Sequence, residues 1–404
     1  MEKDNSKSVC IVWQGFYPWD VRLEKFIACF TKFYRVCLVS KGKDDNPLSE
    51  EHENLSIYRV RAGLFLKKIG AKKIAGIINA PIFFNPFWMI RCFSVARNNK
   101  ASLILVRDLP MMWLGLIVGR ILRIPVIFDM AENYPAALIA YNKKCYKPFL
   151  IGNAFFPRWY ERLAASLSAK VFVVTEEQKE RLIKKNVSGD KIVVVGNTPA
   201  LSEEFFNNNN NADRADKTVL YTGKIDIHRG VDVAIKALPQ LMKKHPGLVL
   251  VLAGAGTEVD KLRLLARKLG VERNVRFLGW ISHQEIYDNI LKSTVCLIPH
   301  VKSEHTDTTL PNKLFDYMAL GKPVISSDLI PVVRILKEYG CGLIFKSGDP
   351  ESLAQQIEKA LDSELLKKLG VNGQKAVKER FRWDIDEKIL ASVTSDLIER
   401  KTNG

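Results

Sequence analysis

Between Glu53 and Asp108 the sequence contains no acid at all, yet that stretch holds ten lysines and arginines. Other absences narrow the field as sharply. The seven cysteines (Cys10, Cys29, Cys37, Cys92, Cys145, Cys296 and Cys341) form no C-x-x-C pair, their number is odd, and most lie in apolar runs. That pattern excludes a disulfide framework and predicts buried, reduced thiols in a reducing compartment. The six histidines are scattered and form no H-E-x-x-H or comparable cluster, so no metal site is expected. His52 is the only histidine before His228, which argues against a histidine base in the first half. Met1–Lys7 is polar and lacks a basic n-region with a cleavable apolar stretch, so no secretory signal is expected. The longest uncharged run, Ile74–Ile90, has 17 residues and includes Asn79, Pro81, Asn85 and Pro86. A spanning helix needs about 20 apolar residues. The run is therefore expected to be a loop joining two short helices.

With 404 residues, 47% apolar and 26% charged, the composition suits two globular α/β domains. The charge is lopsided: residues 1–200 carry +14 of the net +17. In the acid-free segment, bases such as Lys67, Lys68, Lys72 and Lys73 alternate with Leu64, Phe65, Phe83 and Trp88. A basic surface attracts nucleic acid, acidic substrates or anionic lipid. The interleaved apolar side chains favour lipid, so segment 59–100 is expected to dock on an anionic membrane surface, and nucleic acid is not expected as a partner. A solvated face around a packed helical hairpin is the plainer alternative.

Apolar strands alternate with helical spacing twice over. In the first half, strands are expected at Ser8–Trp13, Val36–Ser40, Leu55–Val60, Ser102–Val106, Pro125–Asp129, Ala169–Val174 and Lys191–Val195, with helices at Arg22–Tyr34, Pro110–Leu122 and Glu176–Lys185. Five asparagines, Asn207–Asn211, read as a linker. Beyond it the pattern restarts, with strands at Thr218–Tyr221, Leu248–Ala253, Val275–Leu278, Val295–Ile298, Pro323–Ser326 and Gly342–Phe345. Nearly continuous Val/Ile/Leu strands separated by helices predict parallel sheets covered on both faces. The expected fold class is α/β with two Rossmann-like domains, 1–205 and 212–383, facing a cleft. In such sheets ligands bind beyond the carboxyl ends of the strands.

Three segments stand at such ends. Tyr221–Gly230 places Gly223 after a strand, Lys224 and Arg229 five residues apart, and Gly230 at a helix start. Two cations there would suit a diphosphate, although an ordinary surface loop carries the same residues. Ala253–Glu258 places Gly254 and Gly256 between a strand and a helix but lacks the third glycine of the dinucleotide fingerprint. The third segment follows Pro299: a polar loop, His300–Thr309, then Leu310–Ile325. Pro311 suits a first helical turn, whose N–H groups around Thr309, Leu310 and Asn312 would hold a phosphate. Lys313 adds a cation, and Asp316, placed about one and a half turns in, is suited to bond a ribose diol. Phe315 and Met318 are expected to be buried, and Gly321 to end the helix.

In these residues the chain resembles the large retaining glycosyltransferase family 4, which has the GT-B fold. The resemblance runs from about Ser8 to the end of the chain. It rests on G-K…R-G at Lys224 and Arg229, N-V-R-F-L-G-W at Asn274–Trp280, and L-F-D-Y-M-A-L-G-K-P-V-I from Leu314. It is carried further by D-V-R-L-E-K at Asp20–Lys25, F-D-M-A-E-N at Phe128–Asn133, G-N-T-P at Gly196–Pro199, and Trp383 with the helix 384–404, which the resemblance has crossing back to the first domain.

The resemblance implies a cytoplasmic enzyme, peripheral on the inner membrane face. It would transfer a sugar from a UDP- or GDP-type donor to a saccharide acceptor, lipid-linked in the fuller reading, with retention and with neither cofactor nor metal. Lys224 and Arg229 would bind the diphosphate, Asp316 the ribose, and Trp280 would lie near the base. Asp20, Arg22, Arg107 and Asp129 would stand on the acceptor side, with Glu132 as a catalytic carboxylate and Asp108 beside them; capping and turn duties are the plain alternative for the carboxylates. The sequence departs from the family's Glu-x7-Glu pattern, with Thr308 and Asp316 at those positions and Ala131 where a histidine is frequent. Sugar recognition would then pass to His305, Asp307, Thr309 or Asn312. An epimerase of the same fold and a non-catalytic nucleotide-sugar binder are the alternatives.

Overall fold

A computed structural model describes residues 7–43, 45–61, 85–140, 155–201, 205 and 217–402. Most of the basic run (62–84), the polyasparagine linker and Cys145 lie outside the described residues. The chain divides into two compact units, 1–196 with 386–404, and 197–385. The first unit thus ends at Gly196 rather than at 205. Pro199 belongs with the second unit, where its carbonyl accepts the Trp383 N–H at 2.9 Å.

The first unit runs β1 (Ser8–Trp13), α1 (Val21–Phe30), β2 (Arg35–Lys41), β3 (Ser49–Glu51), β4 (Leu55–Val60), α2 (Pro86–Asn98), β5 (Ala101–Arg107), α3 (Met112–Leu122), β6 (Val126–Met130), α4 (Tyr134–Ala140), α5 (Phe155–Leu167), β7 (Lys170–Val173), α6 (Glu176–Lys184) and β8 (Ile192–Val194). The strands order as β3-β4-β2-β1-β5-β6-β7-β8, all parallel except the short edge strand β3. Caps set the helix starts. Asp20 accepts from Leu23 N, and Asn85 from Phe87 N just ahead of Pro86, which lacks the N–H that a first turn leaves unused. Alternate strand residues sort into two cores. Cys10, Val12, Val106 and Val126 face α2, α3 and α5 through Trp88, Val118 and Tyr160. On the other side Phe26 of α1 meets Phe172 edge to face at 6.1 Å.

The second unit runs β9 (Thr218–Thr222), α7 (Val231–Lys244), β10 (Val249–Ala253), α8 (Val259–Lys268), β11 (Val275–Gly279), α9 (His283–Lys292), β12 (Val295–Ile298), α10 (Lys313–Ala319), β13 (Val324–Ser327), α11 (Ile330–Tyr339), β14 (Gly342–Phe345), α12 (Pro350–Ala360) and α13 (Ser363–Glu379). The last helix, α14 (Trp383–Thr402), starts here, and its residues from Asp386 count with the first unit. The sheet is wholly parallel, ordered β11-β10-β9-β12-β13-β14. Val219, Leu250, Leu252 and Leu297 face α7, α8 and α12, while Leu220, Val251, Cys296 and Ile298 face α10, α11 and α13. Each fully buried Leu or Ile contributes about 1.5–3 kcal/mol. Six cysteines in the described residues are buried and unpaired. No described helix is long and apolar enough to cross a membrane.

The strand order reverses direction at β1/β5 in the first sheet and at β9/β12 in the second. Those are the switch points beyond whose carboxyl ends an α/β sheet opens a crevice.

Candidate functional site

In the second unit, β9 ends in Tyr221 and Thr222, and Tyr317 of α10 anchors that end. Its hydroxyl lies 2.9 Å from both the backbone N and the side-chain oxygen of Thr222. The chain then turns at Gly223 and passes Lys224. The next loop is locked to it: Gly223 N–H donates to Ala253 O at 2.8 Å and Ile225 N–H to Ala255 O at 2.9 Å. The two glycines of A-G-A-G serve that contact. A Cβ on Gly254 would lie 1.9 Å from Gly223 O, and one on Gly256 2.1 Å from Ile225 O. Their tight spacing is thus accounted for by the pairing of two loops.

Gly230 has φ +60°, and a Cβ there would stand 2.0 Å from Pro299 O, so only glycine lets α7 begin against the end of β12. This contact brings Arg229 to His300, with Nη1 and Nε2 3.4 Å apart. The half-buried Lys313 of α10 completes the cluster, its ammonium 3.9 Å from the centre of the Tyr221 ring and close beside Gly223. Burial, and after it Arg229, push the Lys313 pKa well below that of a free lysine, with Asp316 opposing. Burial, then Lys313 and Arg229, push buried His300 well down as well, which makes it a neutral imidazole at pH 7. Cations that raise one another's energy at a strand switch point form a receptor for an anion.

The remaining expected donor residues fall in several places. Lys224 points to Asp226 at 2.7 Å, with its side chain 67% exposed, and not toward Arg229. Asp316 lies in the first turn of α10, not one and a half turns in. The helix starts at Lys313 because Pro311 and Asn312 form a tight turn that takes the N–H groups of Leu314 and Phe315 at 3.0 Å. Phe315 and Met318 are buried, and Gly321 follows the helix in the left-handed region at φ +65°. Trp280 is 81% exposed just past β11. The Thr308 hydroxyl donates to the carbonyls of Glu304 and His305 at 3.1 Å, and that of Thr309 to His305 O at 3.0 Å. Asp307 accepts from Ile330 N at 3.2 Å and so caps α11. Leu310 packs against the core and Asn312 is exposed. Tyr221, His300 and Tyr317 were not anticipated as site residues; the signal for His300 was a polar residue two positions past the end of a strand.

In the first unit, Asp20, Arg22, Arg107 and Asp129 do meet. Arg22 grips Asp129 with Nε at 3.0 and 3.1 Å and with Nη2 at 2.7 Å. Its Nη1 donates to Val195 O at 2.8 Å and Gly196 O at 3.2 Å. Arg107 reaches Asp20 and Asp108 at 3.0 Å each and Asp129 at 3.5 Å. Asp129 is fully buried by this network, which ties the start of α1 to the carboxyl ends of β5, β6 and β8.

Asp108 sits apart in character. Its backbone is at φ 68°, ψ 155°, a region that essentially only glycine occupies at no cost. Burial, opposed by Arg107 and helped by Glu132, Asp129 and Asp20, raises its carboxyl to about 6. A strained, partly exposed carboxylate with a raised pKa at a switch point has the features of a functional group. Among the described residues no group of three or more His, Cys, Asp or Glu has a metal-binding arrangement.

Two family models match the chain, one described as a glycosyl transferase 4-like domain over residues 24–198 and one as glycosyl transferases group 1 over residues 202–376. An uncharacterized glycosyltransferase of Methanocaldococcus jannaschii is 26% identical over 236 residues, 55% of this chain and 59% of that protein. The chain thus matches a little over half the length of that relative. Among solved structures, sucrose-phosphate synthase of Thermosynechococcus elongatus aligns with TM-score 0.74 at 17% identity over 98% of this chain and all of that one, 100%. HepE of Anabaena, in complex with UDP, aligns with TM-score 0.67 at 15% identity over 96% of this chain and 100% of that one.

Proposed function

The chain belongs to the group 1 glycosyltransferases of GT-B fold, and on that premise we propose that it transfers a sugar from a nucleoside-diphosphate donor, of UDP or GDP type, to a saccharide acceptor, with retention of configuration. The observation that carries this reading is the cluster of Arg229, Lys313 and neutral His300 around Gly223. A diphosphate relieves the mutual repulsion of its two cations. The same cations stabilise the charge that grows on the leaving diphosphate as the bond to the sugar breaks. The UDP bound in the HepE structure accords with a diphosphate there.

Lys224 swings from Asp226 to the second phosphate when donor binds, Asp316 takes the ribose, and Trp280 stacks on the base. In retention the acceptor oxygen forms its bond to the anomeric carbon on the face from which the diphosphate leaves. The acceptor's proton passes to the departing phosphate oxygen, so no strong general base is needed. Asp108 and Glu132 bind acceptor hydroxyls, and the Arg22–Asp129–Arg107–Asp20 network holds the strand ends beneath them. The acceptor is lipid-linked, and the enzyme works from the cytoplasmic side as a peripheral protein; the charge of +14 in residues 1–200 supports this.

The test is a thermal-shift panel with UDP, GDP, ADP, CMP and NAD on the wild type and on Lys224→Ala, Lys313→Ala and Asp316→Ala. A ligand that binds only the folded state raises its melting temperature. A shift with one nucleoside diphosphate, lost in the variants, is expected. No shift with any diphosphate would remove the donor-site reading and bring a non-catalytic role forward.

A further inference from the structure

The first unit has one helical layer with a singular surface. Helix α3 packs between α2 and α5; the Trp113 ring stacks on that of Tyr160 at 5.3 Å, and the Trp113 backbone N–H donates to the Tyr160 hydroxyl at 2.9 Å. The inner stripes of all three helices enter one core. Their outer stripes are apolar where water would be expected: Ile90 is 67% exposed, Ile121 60% and Phe155 74%, with Phe87, Trp159 and Leu167 also exposed.

The charges on this layer have one sign. Neither α2 nor α3 contains an acid. The single acid of α5, Glu161, is fully buried and held by Arg181 at 2.6 Å and Lys185 at 3.1 Å. Exposed Arg97, Arg120 and Arg162 stand one on each helix, and none forms an ion pair among the described residues. Where α3 and α5 end, a hollow of about 750 Å³ opens between them, lined by Arg120, Arg123 and Lys191 on an apolar wall of Leu116, Ile124 and Leu167. Among the described residues no carboxylate lines it. The opposite face of the sheet carries both signs of charge, with Lys32, just past α1, paired to Glu387 of α14 at 2.6 Å.

We propose that the outer face of α2, α3 and α5 is a docking surface for an anionic phospholipid membrane, with the hollow at the ends of α3 and α5 receiving a lipid phosphate. The proposal rests on the peripheral reading above and locates it on residues; α2 lies inside segment 59–100, whereas α3 and α5 lie outside it. Charge complementarity selects the occupant. A second copy of this chain would bring arginines against arginines. A nucleic acid would satisfy the arginines but would leave Ile90, Ile121 and Leu167 facing water. An anionic leaflet takes both, with phosphates at the arginines and acyl chains around the isoleucines and aromatics, which is the two-signal condition for reversible binding.

The test is flotation of the full chain with phosphatidylcholine vesicles and with vesicles that also contain phosphatidylglycerol. The wild type is expected to float with the anionic vesicles and to be released by salt. Replacing one arginine on each helix, Arg97→Gln, Arg120→Gln and Arg162→Gln together, is expected to lower partitioning by about 100-fold, at about five-fold for each base removed. Phe155→Ser with Trp159→Ser is expected to abolish flotation while the melting temperature stays near wild type. Nucleoside-diphosphate thermal shifts are expected to be unchanged in both variants. A wild type that ignores anionic vesicles, a triple variant that floats like wild type, or displacement from vesicles by an oligonucleotide would each overturn the proposal. Absence of any diphosphate shift in the wild type would instead count against the transferase reading and leave the flotation result standing.

Discussion

Arg22 closes on Asp129 with two of its nitrogens, at 2.7 to 3.1 Å, and spends the third on the carbonyls of Val195 and Gly196. One guanidinium thereby ties the first helix to the sixth strand and to the end of the eighth. Removing one partner strands a buried charge, so Asp129→Ala is expected to cost about 3–5 kcal/mol in denaturant unfolding. Arg22→Met with Asp129→Leu is expected to recover much of that loss, because neither charge then remains buried. A double variant as unstable as Asp129→Ala would show that the pair contributes more than it costs to desolvate.

Asp108 trades stability for its position. Asp108→Gly is expected to raise the stability of the first unit by about 1–3 kcal/mol, since glycine adopts this backbone at no cost, and to lower transfer activity. Its carboxyl binds a proton more tightly in the folded chain, 3.8 moving to about 6. Its effect therefore favours the folded state at low pH and is lost as pH rises through that window. Wild type minus Asp108→Asn in melting temperature across pH 4 to 7 reads the difference, and a flat difference would remove the argument.

Lys313 holds its proton less tightly than a free lysine does. Lys313→Ala is expected to lower turnover by about 100-fold or more, in line with loss of one charge-stabilising group. Because burial and Arg229 depress its pKa, diphosphate affinity is expected to fall on the alkaline side before a free lysine would titrate. Lys313→Arg is expected to flatten that fall, and titration of affinity against pH checks it.

Gly230→Ala is expected to be more damaging than its size suggests. The new methyl group would meet Pro299 O at 2.0 Å on a backbone with positive φ. Loss of stability, together with loss of diphosphate binding through displacement of Arg229, is expected. An unchanged melting temperature would contradict the close approach of these two elements.

Trp280→Ala is expected to leave stability within about 0.5 kcal/mol, because the ring is exposed. Nucleotide affinity is expected to drop. Calorimetry with the preferred diphosphate distinguishes a stacking ring from an idle one.

Strand positions were legible because buried parallel strands leave unbroken apolar runs: β1, β4, β12 and β14 match their expected limits. Helices α4, α5, α12 and α13 were not singled out: α4 is a short run, Y-P-A-A-L-I-A, with no polar face to set a period, and the apolar residues of the other three are spaced among polar ones. The two cations before Gly230 were legible as residues but not as partners. Only the fold shows that Arg229 meets His300 and Lys313 while Lys224 turns to Asp226. Asp20, Arg22, Arg107 and Asp129 were singled out as residues through motif order. Their mutual ion pairing was not, because it depends on strands that are neighbours in the sheet and far apart in sequence.

The buried cysteines give the chain a built-in chemical clock. Burial pushes the thiols of Cys29, Cys296 and Cys341 to about 12 and raises Cys92 too, while Cys10 is raised by its hydrogen bond to Cys37 first and by burial second. A thiol so protected reacts with an alkylating reagent only when its surroundings open. Cys10, Cys29, Cys37 and Cys92 belong to one unit, and Cys296 and Cys341 to the other. Mass spectrometry of a timed alkylation would therefore record each unit's opening separately, without any engineered label.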